Sequence, residues 1–202
     1  MSPVQAMERS YGTLKQMLRD GVFAPRTRLE ANRLAEELGV SMTPVRDVLH
    51  RLAGERLVES SSRDGFHVPH FSEAALRDLY EWNSALLILA VRTTRTGEAH
   101  RSTQPLWEIA AGADRVAALF ARLAAAAANP EIAQAITSAS DRLHPFRVIE
   151  HKILESVDGE IEDVIVRRPG QVQAIRRYHL RRMRAVPDLL REQSRGPQAS
   201  RL

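Results

Sequence analysis

A helix-breaking turn between two amphipathic segments constrains this chain more than any other feature. It runs Gly39-Val40-Ser41-Met42-Thr43-Pro44-Val45-Arg46. Glycine tolerates the left-handed conformation that closes a helix, so Gly39 predicts the end of one. Ser41 is a favourable N-cap for the next. Pro44 falls in that helix's first turn, where a missing N–H costs little. Val45, Val48, Leu49 and Leu52 then recur at helical spacing and form one apolar stripe. The opposite face carries Met42, Thr43, Arg46, Asp47, His50 and Arg51. A helix, a tight turn and a second helix with a polar, basic outer face is either an ordinary helical hairpin or the layout that reads DNA.

The flanking sequence bears on that choice. Tyr11, Leu14, Met17 and Leu18 share one face of a first helix, Met7 to Arg19, ended by Asp20-Gly21. Val22 to Leu29 reads as an irregular connection, and Glu30 to Leu38 as the helix before the turn. After Gly54 the period changes. Leu57-Val58-Glu59 and Phe66-His67-Val68 read as short strands, and Asp64-Gly65 between them is a hairpin signal. Three helices and a two-stranded hairpin make a winged helix-turn-helix. The wing would close the small core and set Arg63 and Gly65 beside a phosphate backbone.

The residues from Leu34 to Gly39, Val40-Ser41, Thr43-Pro44-Val45-Arg46-Asp47-Val48-Leu49, Arg51-Leu52 and Leu57-Val58 resemble the DNA-binding domain of the GntR family of bacterial transcription regulators. That family's pattern reads roughly L-A-x-x-L-G-V-S-R-T-P-V-R-x-A-L-x-R-L-x-x-x-G-L-V. Met42 departs from it, standing where an Arg is usual. The resemblance implies DNA contacts at Arg33, Ser41, Met42, Thr43, Arg46, Arg63 and Gly65. An Arg can hold a phosphate or fork onto a guanine edge, and Ser41 and Thr43 sit at a helix N-terminus that favours a phosphate. The competing role for Arg46 is a salt bridge to an acidic neighbour.

Residues 71–195 read as an all-α bundle, and 196–202 as a disordered tail. Ser72 caps a long apolar helix to about Arg92. A polar loop, Thr93 to Thr103, precedes a helix from Pro105 to about Gly112. An Ala-rich helix runs from Ala113 to Ala128, and Asn129-Pro130 caps the next. His144-Pro145 kinks or restarts that helix, which continues to about Val157. Gly159 and Pro169-Gly170 punctuate the chain before a last helix, Gln171 to Ala185, broken at Pro187. The fold class is thus mainly α: a winged helix-turn-helix, residues 1–70, followed by a helical bundle. This order resembles the FadR subfamily, whose FCD-type bundle binds a small effector and forms the dimer.

Many relatives bind a divalent metal in that bundle. Alignment with them puts Ala117 and Ala121 at the first ligand pair, where neither can coordinate, and Asn83 at an expected Arg. His179 matches the last His of the pattern. No metal cofactor is therefore expected, although His144, His151 and His179 could build a different three-His site. Arg142, His144, Arg147 and His179 are the candidate polar lining of an effector pocket, against helix–helix hydrogen bonding as their alternative role. No nucleophile elbow, phosphate-cradling loop or zincin motif occurs, so an enzyme is not expected.

Composition sets the remaining bounds. The chain has no cysteine, a net charge of +4 and no run long enough to span a bilayer. It also lacks the apolar core of a signal peptide near its start, so a cytoplasmic location is expected. Residues 1–70 hold ten Arg/Lys against nine Asp/Glu, so a DNA surface there depends on placement of charge. The run Arg176, Arg177, Arg181, Arg182 and Arg184 reads as a solvated helix face rather than a second nucleic-acid patch. The expected partners are a palindromic double-stranded operator, a small organic effector and a second copy of the chain. The expected function is that of a ligand-responsive repressor. An effector-independent DNA-binding protein is the alternative, with a metal-dependent activity of the bundle behind it.

Overall fold

The computed structural model describes residues 3–61, 64–94, 112–165 and 170–195. They fall into two compact units: the described residues up to 70 with 193–195, and Phe71–Glu192.

The first unit starts with α1 (Pro3–Arg19), α2 (Ala31–Leu38) and α3 (Met42–Gly54). Its core joins Leu14 and Leu18 of α1, Leu34 and Ala35 of α2, and the whole predicted stripe of α3, Val45, Val48, Leu49 and Leu52. Gly39 has φ +65. Its N–H bonds Glu36 O and that of Val40 bonds Ala35 O, the double closure of a left-handed helix end.

The end of α3 differs from expectation. Gly54 stays helical, and Arg56 takes the left-handed conformation, φ +60. The Leu57 N–H then bonds Leu52 O and turns the chain back. Leu57 and Val58, read from sequence as a strand, are core residues instead. Strand β1 (Glu59–Ser61) starts later and pairs antiparallel with β2 (Gly65–His67), Ser60 opposite Phe66. Gly65 has φ +78, as its turn requires. The connection before α2 is also more regular than predicted. Leu29 N–H bonds Phe66 O and Val68 N–H bonds Thr27 O, so residues 27–29 line the free edge of β2.

The second unit holds α4 (Glu73–Thr93), α5 (Gly112–Ala125), α6 (Pro130–Ile149), a 3-10 turn (Glu150–Lys152), α7 (Val157–Ile165) and α8 (Gln171–Arg184). Helix α9 (Val186–Arg195) ends the described chain. The predicted caps form: Ser72 Oγ accepts from Ala75 N–H, and Asn129 Oδ1 from Glu131 N–H. The predicted loop after Thr94, the helix from Pro105 and the tail from 196 lie outside the described residues.

Three sequence expectations are corrected here. Helix α6 does not restart at Pro145 but runs through it, because Leu143 and Phe146 on either side are fully buried and hold it in place. That helix stops at Ile149, and Gly159 lies inside α7 rather than between helices. Pro187 occupies the first turn of α9, where proline fits, so it starts a helix the sequence reading did not assign.

Helix α4 packs on α5, α6 and α8 around two apolar clusters. One gathers Leu86, Leu87, Phe120, Ile136, Ile175 and Tyr178; the other gathers Leu76, Tyr80, Leu143, Phe146, Val186 and Leu189. Along α4, α6 and α8, a layer of buried polar side chains sits where one cluster gives way to the other: Asn83, Ser140, His144, Arg147, His179 and Arg182.

The left-handed Arg56 generates a prediction. That conformation costs an L residue about 1–2 kcal/mol, and the extra backbone entropy of glycine returns up to about 1 kcal/mol of it. Arg56→Gly is expected to raise stability by up to about 1 kcal/mol, read as a higher urea midpoint at unchanged slope.

Candidate nucleic-acid interface

Burying its apolar stripe turns the other face of α3 outward. Ser41, Met42, Thr43 and Arg46 are all exposed at its N-terminal end. Met42, at 41% exposure, is a large apolar side chain held in water. Ser41 occupies the N-cap with extended backbone, but its hydroxyl makes no cap hydrogen bond, so the helix N-terminus keeps N–H groups that can meet an anion. Arg46 forms no ion pair among the described residues, and the salt bridge weighed for it is not seen. Arg33 is exposed on α2 with its Nε 3.3 Å from Glu37 Oε1 one turn on. Such an exposed pair is weak and can be exchanged for a phosphate. Gly65 sits at the base of the wing turn; Arg63, assigned to the wing tip, lies outside the described residues.

Two side chains of the same helix do other work. Arg51 turns toward α1: its Nη1 donates to Glu8 Oε1 at 2.9 Å, and its guanidinium lies 3.6 Å over the Tyr11 ring. Lys15 and Tyr11 donate to Glu55, so a polar clamp fixes α1 to the end of α3. His50 sets its ring edge-on to Phe66 of the wing at 4.8 Å, tying α3 to the hairpin. Sequence could place Arg51 on the outer face but not show which way it bends.

In the bundle, the four predicted lining residues meet different neighbours. Arg142 is half-buried over the Phe71 ring at 5.6 Å, and His144 Nε2 lies 3.5 Å from Asp114 Oδ1. Arg147 and His179 share the polar layer through Phe120: the guanidinium lies 4.9 Å over that ring, and the imidazole stacks on it at 5.8 Å. The His179 Nδ1–H donates to Ile175 O at 2.7 Å, leaving Nε2 to accept from Asn83 Nδ2 at 3.3 Å. Tyr80, Ser140, Glu150 and Tyr178 complete the layer and were not singled out from sequence; Arg182, read there as part of a solvated face, is fully buried in it. Burial pushes the Tyr80 and Tyr178 hydroxyls up, so both remain proton donors.

His144, His151 and His179 do not converge: the described residues contain no group of three or more His, Cys, Asp or Glu able to hold a metal. His151 is exposed on the 3-10 turn and His179 fully buried. Ala117 is half-buried and Ala121 exposed, and neither carries a ligating atom. Arg176, Arg177 and Arg184 of the arginine run are exposed, as a solvated helix face requires, whereas Arg182 is buried. Arg177 pairs with Asp163, Arg181 with Glu160, and buried Arg182 with Glu150 and Glu160. Among the described residues, no helix is long and apolar enough to cross a membrane.

The first unit is a winged helix-turn-helix with an outward-facing recognition helix. Residues 7–68 match the family model described as "Bacterial regulatory proteins, gntR family". The chain is 31% identical over 81 residues to the uncharacterised HTH-type transcriptional regulator YdhC of Bacillus subtilis, covering 40% of this chain and 36% of that one. It is 35% identical over 78 residues to the HTH-type transcriptional regulator McbR of Escherichia coli, covering 39% and 35%. These matches span about a third of each relative's length. Two solved structures share the fold over nearly all of both chains. E. coli McbR/YncC has a TM-score of 0.56 at 18% identity, with 93% and 94% covered. A GntR regulator from Rhodococcus sp. RHA1 has 0.60 at 17% identity, with 95% and 99% covered.

Two predictions follow from these geometries. Arg46→Ala is expected to abolish sequence preference while the domain stays folded. By contrast, loss of a mere phosphate contact would weaken all sequences alike and flatten the salt dependence. Fluorescence anisotropy at two salt concentrations on selected and scrambled duplexes separates the two.

The second prediction concerns pH. Burial, above all, pushes His179 down from 6.5 to about 3. The unfolded chain thus takes up a proton near its ordinary pKa that the folded state refuses. This contribution is fully present above that pKa and is lost as pH falls toward the folded value. The thermal midpoint is expected to drop between about pH 7 and pH 5, with a shallower drop in His179→Gln. Equal slopes would contradict the assignment.

Proposed function

We propose that this protein is a DNA-binding transcription regulator of the FadR type. It acts as a cytoplasmic dimer on a roughly palindromic operator and responds to a small metabolite in its helical unit. The observation that carries the reading is the exposed end of α3, where Ser41, Met42, Thr43 and Arg46 face outward from a GntR-family domain with no ion pair on Arg46 among the described residues. Two such helices related by a two-fold axis would enter successive major grooves. Arg46 supplies a fork for guanine and Met42 an apolar contact suited to a thymine methyl.

The dimer is supported by a stripe on α4. Trp82, Ala85 and Leu89 recur on one face, with Trp82 53% and Leu89 44% exposed. A contiguous apolar patch is where a second copy could bury its own face. The bundle's buried polar layer supports the response to a ligand. The alternative, a DNA-binding protein without effector, draws on the alanines at the expected metal positions. It predicts no thermal stabilisation by any small molecule.

The test is selection of duplexes from a random library by the full-length protein. Enrichment of an inverted repeat, with Trp82→Asp shifting the protein to monomer in gel filtration and weakening binding to the paired half-sites, is the expected outcome. If no sequence is enriched over background, the reading falls.

A further inference from the structure

Helices α7 and α8 lie side by side and carry opposite charge. The α7 sequence holds Asp158, Glu160, Glu162 and Asp163 and no basic residue. The α8 sequence holds Arg176, Arg177, Arg181, Arg182 and Arg184 and no acidic residue. Each helix buries one side in the bundle: Ile161 and Val164 of α7, and Ala174, Ile175, Tyr178, His179 and Arg182 of α8. The opposite side of α8 is exposed at Gln173, Arg176, Arg177, Leu180 and Arg184, and that of α7 at Glu162 and Asp163.

These charges are only partly matched within the chain. Arg177 pairs with Asp163 and Arg181 with Glu160. Arg176, Arg184 and Glu162 form no ion pair among the described residues. Leu180, in the middle of the arginine face, is 48% exposed. With Asp163, Arg177, Arg181 and Arg184 it lines a cavity of about 520 Å³. Its apolar surface gains free energy only when a partner covers it. Glu162 and Asp163 stand beside the arginines and would repel a nucleic-acid backbone.

The complement of this face is present on the chain itself. A two-fold axis parallel to the two helices would lay α7 of one copy on α8 of the other, and the reverse. Acid then meets base at both contacts, and each Leu180 is covered by the other copy's α7. Helices of 9 and 14 residues make a small patch. Such a patch belongs to the weak, transient class of contacts, and its exposed charges make it sensitive to salt.

We infer that the α7–α8 face is a docking surface for a second copy of this chain, paired acid to base about a two-fold axis. It uses no residue of the Trp82–Leu89 stripe on α4. The two contacts together would build an assembly larger than a dimer, and salt would govern the second step.

The test measures the mass of the full-length protein by sedimentation velocity over a wide range of concentration, in low and in high sodium chloride. At low salt the mass is expected to rise with concentration above its high-salt value. Arg176→Glu/Arg184→Glu and Glu162→Lys/Asp163→Lys are each expected to remove that rise, because each sets like charges opposite one another at both contacts. Mixed in equal amounts, the two variants are expected to associate about tenfold or more tightly than either alone, because every contact then joins acid to base. Trp82→Asp is expected to leave the salt-dependent step in place, and circular dichroism checks that all variants are folded. The inference is overturned if mass at low salt never exceeds that at high salt, if either charge-reversed variant associates like the wild type, or if their mixture stays apart. Loss of the step in Trp82→Asp would assign it to the α4 stripe and sink the inference too. The same holds if the protein does not self-associate and instead holds poly-glutamate or random duplex DNA through Arg176 and Arg184.

Discussion

Burial of one face of α3 is the constraint on which the first unit depends. Val45, Val48, Leu49 and Leu52 are each at most 1% exposed. Each contributes about 1.5–3 kcal/mol of hydrophobic stabilisation. With that face fixed, the helix cannot rotate, and Met42, Thr43 and Arg46 must point outward. The double closure at Gly39 sets where α3 begins, and the Arg51–Tyr11–Glu55 clamp holds α1 against its far end. An outward polar face is thus produced by apolar packing behind it, and Arg46 on that face has no ion pair among the described residues.

The second unit follows a different logic. Its helices meet through two apolar clusters separated by a charged layer, and that layer is costly. Arg182 and Glu150 satisfy each other with Glu160, which joins the 3-10 turn, α7 and α8. Arg147 lacks such a counter-charge, although its other contacts are sound. A bundle selected for stability alone gains nothing from an uncompensated guanidinium. Its presence at the junction of α4, α6 and α8 is the kind of local inconsistency that function explains.

Much of the first unit was legible because its signals are local. Gly39, Pro44 and the α3 stripe act within a few residues of themselves, and Asp64-Gly65 marks the wing turn. The errors there came from tertiary demands. Leu57 and Val58 look like a strand by composition, but the core of α1 and α3 claims them first. Residues 27–29 carry no strand pattern and still line β2, because that edge offers free backbone groups. In the bundle, Pro145 and Gly159 look like breakers, yet packing of Leu143, Phe146, Ile161 and Val164 outweighs their intrinsic preference. Which neighbours Arg142 and His144 meet, the Phe71 ring and Asp114, was not legible from their own helix.

The sequence by itself determined helices α1 to α5 and α8, the turn between α2 and α3, the outward placement of Met42, Thr43 and Arg46 and the family resemblance of the first third. These rest on spacing and on the conformational limits of Gly and Pro, which operate over one or two helix turns. Tertiary structure alone decided which charges are satisfied. Arg147, Arg177, Arg181 and Arg182 are chemically identical in the sequence. Only the meeting of α6, α7, α8 and the 3-10 turn gives three of them carboxylate partners and leaves Arg147 without one among the described residues, because ion pairing depends on groups brought together from as many as 32 residues apart.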